Sequence, residues 1–107
     1  MCLQGVGAQH FLVLERYVRI RGMHYVYVLT NPKNSSNYYG FSTDLKRRMK
    51  EHKEQEHKGW KLTYYEAYLD ESDARKRERK LKQYGAGRGH LKARIKASIE
   101  RVLKSAG

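Results

Sequence analysis

The fold is decided near the start of the chain by two aromatic segments, His24-Tyr25-Val26-Tyr27-Val28-Leu29 and Asn37-Tyr38-Tyr39-Gly40-Phe41-Ser42. Both are rich in the β-branched and aromatic residues that favour strands. Between them, residues 31–35 form a turn cluster, because proline presets its own φ and asparagine tolerates left-handed backbone. The stretch therefore predicts a β-hairpin. A glycine inside its returning strand, Gly40, indicates a place where another backbone segment or a ligand approaches closely.

Outward from this hairpin, the pattern alternates between helix and strand. Residues 42–44 supply helix-start chemistry, with Thr43 or Asp44 as the expected N-cap. Residues 61–69 predict a third strand, and a second helix capped by Ser72 and Asp73 is expected to reach about residue 83.

A glycine-rich stretch, residues 85–89, is expected to stop that helix, and a last helix is expected over about residues 90–104. The order β-β-α-β-α-α predicts an α+β fold, in which a small three-stranded antiparallel sheet is flanked by helices.

The composition favours a polyanionic partner. The formal net charge is +12 at pH 7 over 107 residues. Nucleic acid is the leading candidate, and an anionic membrane surface is the rival. No run approaches the roughly 18 apolar residues that a membrane span needs, so we expect no membrane insertion. The single cysteine excludes an internal disulfide framework and fits a reducing, cytoplasmic location.

Residues 1–22 differ from the rest of the chain. The apolar run at residues 11–14 is too short for a secretory signal, and residues 16–21 alternate as a strand would. The segment could therefore be an extra strand, or an upstream extension that is disordered or not native. Met23 would serve as a natural start. We expect an N-terminal extension over residues 1–22 and a single domain over residues 23–107.

Glu78 is an acidic residue within a strongly basic helix. Its helical neighbours Ala74 and Leu81 are apolar, which predicts that Glu78 faces inward while the lysines and arginines spread outward. A carboxylate on that side needs a cationic partner, either a metal ion or an arginine. The simpler alternative is a local ion pair with Lys82, four residues on.

Arg48 and His52 are one helical turn apart on the first helix. A guanidinium at the edge of a packed face can hold a phosphate by two parallel hydrogen bonds, although such a pair can also be a solvated cationic face. Tyr27 and Tyr38 lie on the two hairpin strands. A tyrosine is a poor base at neutral pH because its ordinary pKa is near 10, so it needs help from a neighbouring group.

In this order the residues resemble the GIY-YIG endonuclease superfamily, in particular its small stand-alone single-domain subgroup. Tyr25-Val26-Tyr27 stands in the place of the first tripeptide and Tyr38-Tyr39-Gly40 in the place of the second. Residues 44–52 and 74–82 are similar to the family helices that carry an arginine and a glutamate. The resemblance implies five catalytic residues, namely Tyr27, Tyr38, Arg48, His52 and Glu78.

The chain departs from the family pattern in three places. Tyr25 replaces the glycine of the first tripeptide, and Phe41 stands where some members have a lysine that assists the tyrosine. The polar residue that other members place after the glutamate helix has no counterpart here.

The resemblance implies a nuclease domain over residues 23–107 that hydrolyses DNA phosphodiester bonds with Mg²⁺ or Mn²⁺ on Glu78. Mg²⁺ suits a site with one carboxylate because it binds through few protein ligands and keeps water. We expect a structure-directed or weakly sequence-specific endonuclease of DNA repair or processing. Its partner would be DNA, including branched or single-stranded forms, and the protein would be a monomer or weak dimer. The expected DNA contacts are Arg47, Arg75, Lys76, Arg79, Lys82 and Arg88.

Two other functions fit the same charge. The fold could serve as a nucleic-acid-binding module that does not cut, or as a basic domain that docks on an acidic protein or an RNA particle. A pure binder has no need of an inward glutamate beside two strand tyrosines, which is the feature that separates the readings.

Overall fold

The computed structural model describes residues 22–54 and 57–105. Within these residues, strands and helices follow the order β-β-α-β-α-α-α. They are β1 (His24–Thr30), β2 (Asn37–Ser42), α1 (Leu45–Glu54), β3 (Lys61–Tyr68), α2 (Glu71–Gln83), α3 (Gly85–Arg94) and α4 (Lys96–Ser105). The α+β class and the three-stranded antiparallel sheet are confirmed, and the described part of the chain holds one helix more than we predicted.

The hairpin strand β1 lies at the centre of the sheet, with β2 on one side and β3 on the other. Both pairings are antiparallel. A central strand is covered on both faces, and the apolar run of β1 suits that position. In the resulting register Tyr27 lies opposite Gly40 on β2 and opposite Tyr65 on β3.

The hydrophobic core lies on one face of the sheet, between the strands and the helices α2, α3 and α4. Its buried members are Val26, Val28, Tyr39, Ala74, Leu81, Leu91 and Ile95. Because strand side chains alternate, Tyr27 points to the opposite face, where it meets His52 of α1. The two faces of β1 therefore have different roles. The face with Val26 and Val28 contributes to the hydrophobic core, and the face with Tyr27 carries the candidate site.

The helix starts are set by aspartates. Of the two predicted caps of α1, Thr43 and Asp44, the structure shows Asp44. Its Oδ1 accepts a hydrogen bond from the Arg47 backbone N–H at 3.1 Å. The expected caps of α2 are wrong. That helix begins earlier, and Asp70 caps it by accepting the backbone N–H of Ser72 at 3.0 Å. β3 ends at Tyr68, one residue before the predicted end, and Asp70 lies between it and the first residue of α2, Glu71.

The predicted glycine-rich stop is wrong, although the helix before it ends at Gln83, close to the predicted position. Residues 85–89 form the first half of α3, and Tyr84, which lies between α2 and α3, has the extended backbone (φ −114°, ψ 113°) that separates the two helices. Ile95 separates α3 from α4 in the same region where one helix was expected. Glycine disfavours helix by up to about 1 kcal/mol per residue. Burial of Leu91, 1% exposed, anchors α3 to the core and offsets that cost.

The predicted extension over residues 1–22 lies outside the described residues, apart from Gly22. The predicted domain start at Met23 remains a prediction. Across residues 22–54 and 57–105, no helix has the length and apolar character that crossing a membrane requires.

Candidate active site

Tyr27 is the centre of the candidate site. Its side chain is fully buried, and its ring lies directly over Gly40. A Cβ atom built on Gly40 would lie 2.5 Å from Tyr27 Oη, so only glycine allows the ring this position. Burial raises the pKa of the phenol to about 12, and the neighbouring Arg48 guanidinium opposes part of that rise.

The Tyr27 hydroxyl meets a pair of histidines. Tyr27 Oη lies 2.6 Å from Nε2 of His52, whose imidazole is only 5% exposed. Nδ1 of His52 lies 2.9 Å from Nδ1 of His57. Sequence reasoning missed His57 because it follows the end of α1, at Glu54, so no helical spacing connects it with the site. The one sequence signal is that two histidines fall within residues 52–57.

Tyr38 and Trp60 complete an aromatic cluster with these groups. The Tyr38 ring centroid lies 6.2 Å from that of Tyr27, 5.2 Å from that of His52 and 4.4 Å from that of His57. The Trp60 centroid lies 4.8 Å from that of His57. The structure thus brings together three of the predicted residues, Tyr27, Tyr38 and His52, around a fourth ring that the sequence did not indicate.

Arg48 lies beside both tyrosines. Its Nη1 donates to Glu51 Oε1 at 3.0 Å. Glu51, and after it Tyr27 and Tyr38, raise the pKa of the guanidinium, which therefore stays charged. The Arg48 side chain is 35% exposed. Glu51 therefore fixes one side of the guanidinium, while the solvent-exposed side can bind an anion.

Glu78 is half-buried and makes the local ion pair that the sequence left open as an alternative. Lys82 Nζ lies 3.1 Å from Glu78 Oε2, and Arg75 Nη1 lies 3.6 Å from Glu78 Oε1. The charge of Glu78 still acts on the site, since it adds to the rise of the Tyr27 pKa. Lys82 links the two regions, with Nζ 5.8 Å from the Tyr38 ring centroid.

The donor set at Glu78 is compatible with a hard divalent cation. Both carboxylate oxygens face cationic groups, which stand in for the positive charge that a metal ion would bring. The described residues contain no group of three or more histidine, cysteine, aspartate or glutamate side chains arranged to hold a metal. Glu78 would thus be a single protein ligand, and water or substrate oxygens would have to complete the shell.

The predicted DNA-contacting residues occupy different environments. Lys76 and Arg79 are exposed on α2, and Arg47 is 58% exposed although it pairs with Glu51. Arg88 is engaged elsewhere. Its Nη1 donates to the carbonyl oxygens of Leu81 and Lys82, both at 2.9 Å, and so caps the end of α2.

The environment of Phe41 shows what replaces a lysine at that position. The guanidinium carbon of Arg75 lies 3.7 Å from the Phe41 ring centroid, in cation–π geometry. Arg75 itself bridges Glu71 and Glu78. A positive charge is therefore present near Phe41, but it comes from α2 rather than from the hairpin.

Comparison with known proteins gives one result. A family model described as the GIY-YIG catalytic domain matches residues 23–86, which include all five predicted catalytic residues. Neither the curated proteins nor the solved structures yielded a significant match. The matched region covers more than half of the chain and spans the sheet, α1 and α2. The chain therefore belongs to the GIY-YIG family, whose catalytic domain is a nuclease-type fold that acts on nucleic acid.

Proposed function

We propose that this protein is a metal-dependent endonuclease that hydrolyses DNA phosphodiester bonds. One observation carries the proposal most directly: the buried Tyr27 hydroxyl has a proton acceptor at 2.6 Å in His52, and Arg48 stands beside it. A proton acceptor next to an anion-binding guanidinium is what attack of water on a phosphodiester requires. A purely structural tyrosine would not need both.

In the proposed reaction Tyr27, rather than Tyr38, orients the attacking water and takes its proton. A phenol with a pKa near 12 cannot ionise by itself at neutral pH, so the proton of Tyr27 must pass on as the water is deprotonated. His52 Nε2 lies in position to receive it. Tyr38 lies in ring contact with both groups and would shape the pocket in which the water is held.

Arg48 would stabilise the negative charge that builds up on the phosphorus centre. Glu51 holds one edge of the guanidinium, which fixes its direction, and the exposed remainder can donate to phosphate oxygens. Preorganised donors of this kind contribute because they need no reorientation during the reaction.

Glu78 would hold the divalent cation, Mg²⁺ or Mn²⁺. When bound, such an ion supplies Lewis-acid stabilisation of the leaving oxygen. Lys82 and Arg75 now neutralise the Glu78 carboxylate, and each would turn to a phosphate oxygen when DNA is present.

The surrounding cations support DNA as the substrate. Positive residues on α1 and α2 flank the site, and nothing in the described part of the chain resembles a separate sequence-reading module. We therefore propose structure-directed or weakly sequence-specific cutting, as in DNA repair or processing. Branched or single-stranded DNA would be the substrate, acted on by a cytoplasmic monomer or weak dimer.

The test is cleavage of supercoiled, single-stranded and branched DNA with Mg²⁺ or Mn²⁺. We expect Arg48→Ala and Glu78→Gln each to lower the cleavage rate about 100-fold or more. Arg101→Ala is the matched control, because it removes one positive charge from an exposed position on α4. Cleavage that continues undiminished in both site variants would assign the activity to another site or a contaminant.

A second candidate function is a nucleic-acid-binding module that does not cut. The ion pairs from Lys82 and Arg75 to both oxygens of Glu78 favour it, since they already satisfy the carboxylate without a metal. DNA binding without cleavage under every metal and substrate condition would select this function.

A further inference from the structure

The three groups Tyr27, His52 and His57 form a continuous hydrogen-bonded chain. Tyr27 Oη lies 2.6 Å from His52 Nε2, and His52 Nδ1 lies 2.9 Å from His57 Nδ1. Both nitrogens of the His52 ring are thus engaged, one by the phenol and one by the second imidazole. The backbone fixes His57 as well: its N–H donates to the His52 carbonyl at 3.2 Å, and its carbonyl accepts from Trp60 at 3.1 Å.

The chain permits one arrangement of protons when the phenol donates. A neutral imidazole carries one N–H, and a hydrogen bond between two nitrogens needs one donor and one acceptor. If Tyr27 donates to His52 Nε2, then His52 must carry its hydrogen on Nδ1 and donate it to His57. His57 Nδ1 is then the bare acceptor, and its own hydrogen lies on Nε2.

His52 is poorly suited to keep a second proton. Its side chain is 5% exposed and lies among the rings of Tyr27, Tyr38 and His57, so a full positive charge there would lose most of its hydration. His57 is only partly buried and lies beside Trp60, towards the outside of the aromatic cluster. A proton leaving Tyr27 therefore reaches a better-hydrated position if it continues to His57.

We infer that His57 is a positioning residue for proton transfer, which draws the proton of the attacking water out of the buried site through His52. This inference rests on the proposed nuclease function. In one concerted transfer, the water gives a proton to Tyr27 Oη as its oxygen bonds to phosphorus. The Tyr27 proton moves to His52 Nε2, the His52 Nδ1 proton moves to His57 Nδ1, and the His57 Nε2 proton leaves to solvent.

The proton balance closes without a charged histidine. Both imidazoles end as the opposite neutral tautomer, and Tyr27 ends protonated as it began. After product release, a solvent proton enters at His57 Nε2, the transfers run in reverse, and Tyr27 gives its proton to water in the emptied site. His57 thus supplies the relay that the hairpin lacks at Phe41.

Two substitutions separate relay from simple orientation. His57→Asn places an amide oxygen near the position of Nδ1, so it can accept from His52 but cannot pass a proton on. His57→Ala removes both abilities. We expect each to lower kcat about tenfold with little change in KM. Added imidazole should restore cleavage in His57→Ala, in proportion to its concentration, and not in His57→Asn.

His90→Ala is the matched control, because His90 is exposed on α3, a helix that packs on the core face of the sheet, opposite to the face that carries Tyr27 and His52. The His90→Ala variant should cleave DNA at the wild-type rate, and added imidazole should not change that rate. An His57→Asn variant as active as wild type would show that His57 only orients His52, and absence of imidazole rescue in a folded His57→Ala variant would also overturn the relay.

A second readout does not depend on cleavage. Nitrogen-15 NMR of the imidazoles should show His52 protonated at Nδ1 and His57 at Nε2, with a scalar coupling across the Nδ1–H···Nδ1 hydrogen bond. A His52 ring protonated at Nε2 instead would overturn the inference. Because this measurement needs no substrate, failure of the relay and failure of the nuclease proposal can be told apart.

Discussion

At the scale of single residues, the position of the Tyr27 ring requires glycine at position 40. The phenol ring occupies the space that any side chain at position 40 would need, and that contact aims the hydroxyl at His52. The sequence predicted that backbone or a ligand approaches Gly40 closely, and the structure places a tyrosine side chain there instead. The sequence could not identify the approaching group, because the β1–β2 register is what puts Gly40 opposite Tyr27.

We expect Gly40→Ala to move the Tyr27 ring and to damage both stability and catalysis. Overpacking of this kind destabilises by about 1–3 kcal/mol, and a displaced catalytic group can cost about 100-fold in rate. Urea denaturation and cleavage assays measure the two effects.

Gly89→Ala is the comparison for that variant. Gly89 lies inside α3 with nothing within 4 Å of an added Cβ, so alanine there should stabilise by about 0.5–1 kcal/mol. If Gly40→Ala had the same stability and activity as Gly89→Ala, the close contact between the Tyr27 ring and Gly40 would not be required for folding or for catalysis.

Lys82 competes for the proposed metal ligand. Its ammonium lies 3.1 Å from Glu78 Oε2, so a cation that binds there must displace it. We expect Lys82→Gln to raise the affinity for Mn²⁺ about two- to fivefold, the size of a partly exposed ion pair. Calorimetric titration of Mn²⁺ without DNA measures this, and Lys80→Gln on the same helix removes an equal charge as control. Equal affinity in the two variants would argue against Glu78 as the ligand.

At the scale of elements, α2 is held against β3 by a polar network. Arg77 Nη2 lies 3.0 Å from Glu66 Oε2, and the hydroxyls of Tyr64 and Tyr68 also donate to that carboxylate. Burial alone would raise the pKa of Glu66, but the hydrogen bonds from Arg77, Tyr68 and Tyr64 together outweigh it and lower the pKa. This network sets where α2, and hence Glu78, lies along the sheet.

We expect Glu66→Gln to destabilise the fold by about 2 kcal/mol at pH 7, since it removes one partner of a largely buried charged pair. The pKa of Glu66 is lower in the folded state than its ordinary value of 4.5. Its contribution is therefore complete above that value and is lost as the pH falls through the lower folded value.

The free energies of unfolding of Glu66→Gln and wild type should therefore differ most at neutral pH and converge as the pH falls through the lowered folded-state pKa of Glu66. Glu100→Gln, on the exposed side of α4, should stay close to wild type throughout. A difference between Glu66→Gln and wild type that did not change with pH would mean that packing, not charge, accounts for the loss.

At the scale of the whole molecule, the excess positive charge acts as one long-range property while individual cations have separate tasks. The net charge of +12 favours association with DNA, wherever on the protein surface the DNA lies. Some of the cations also hold the fold together, as Arg77 does on Glu66 and Arg88 at the end of α2. The net charge alone does not show which cations bind DNA and which stabilise the fold.

We expect Lys76→Gln and Arg88→Gln to separate the two roles. Lys76→Gln should reduce the slope of log affinity against log salt by about 0.9, one phosphate contact, and leave stability unchanged. Arg88→Gln should lower stability by about 1 kcal/mol, because it removes two hydrogen bonds to helix-end carbonyls. Salt-dependent DNA binding and thermal denaturation measure both. An unchanged melting temperature in Arg88→Gln would show that the two hydrogen bonds at the end of α2 do not contribute to stability.

Element prediction succeeded where local chemistry is strong and failed where burial decides. The hairpin and the N-cap at Asp44 follow from strand composition, turn residues and a capping side chain. Residues 85–89 form a helix against their propensity, because Leu91 of the same helix reaches the core. The expected DNA contacts and metal ligand remain predictions for the experiments above.

The sequence by itself determined the family and the α+β class, and it predicted five catalytic residues, because these depend on local patterns and their order along the chain. Only the tertiary structure decided that Tyr27 is buried over Gly40, that Glu78 pairs with Lys82 and Arg75, and that His57 joins the site. Each is a contact between side chains whose positions are set by strand register, helix packing and loop closure. A periodic pattern specifies which face a residue lies on, whereas packing in three dimensions specifies which groups it meets there.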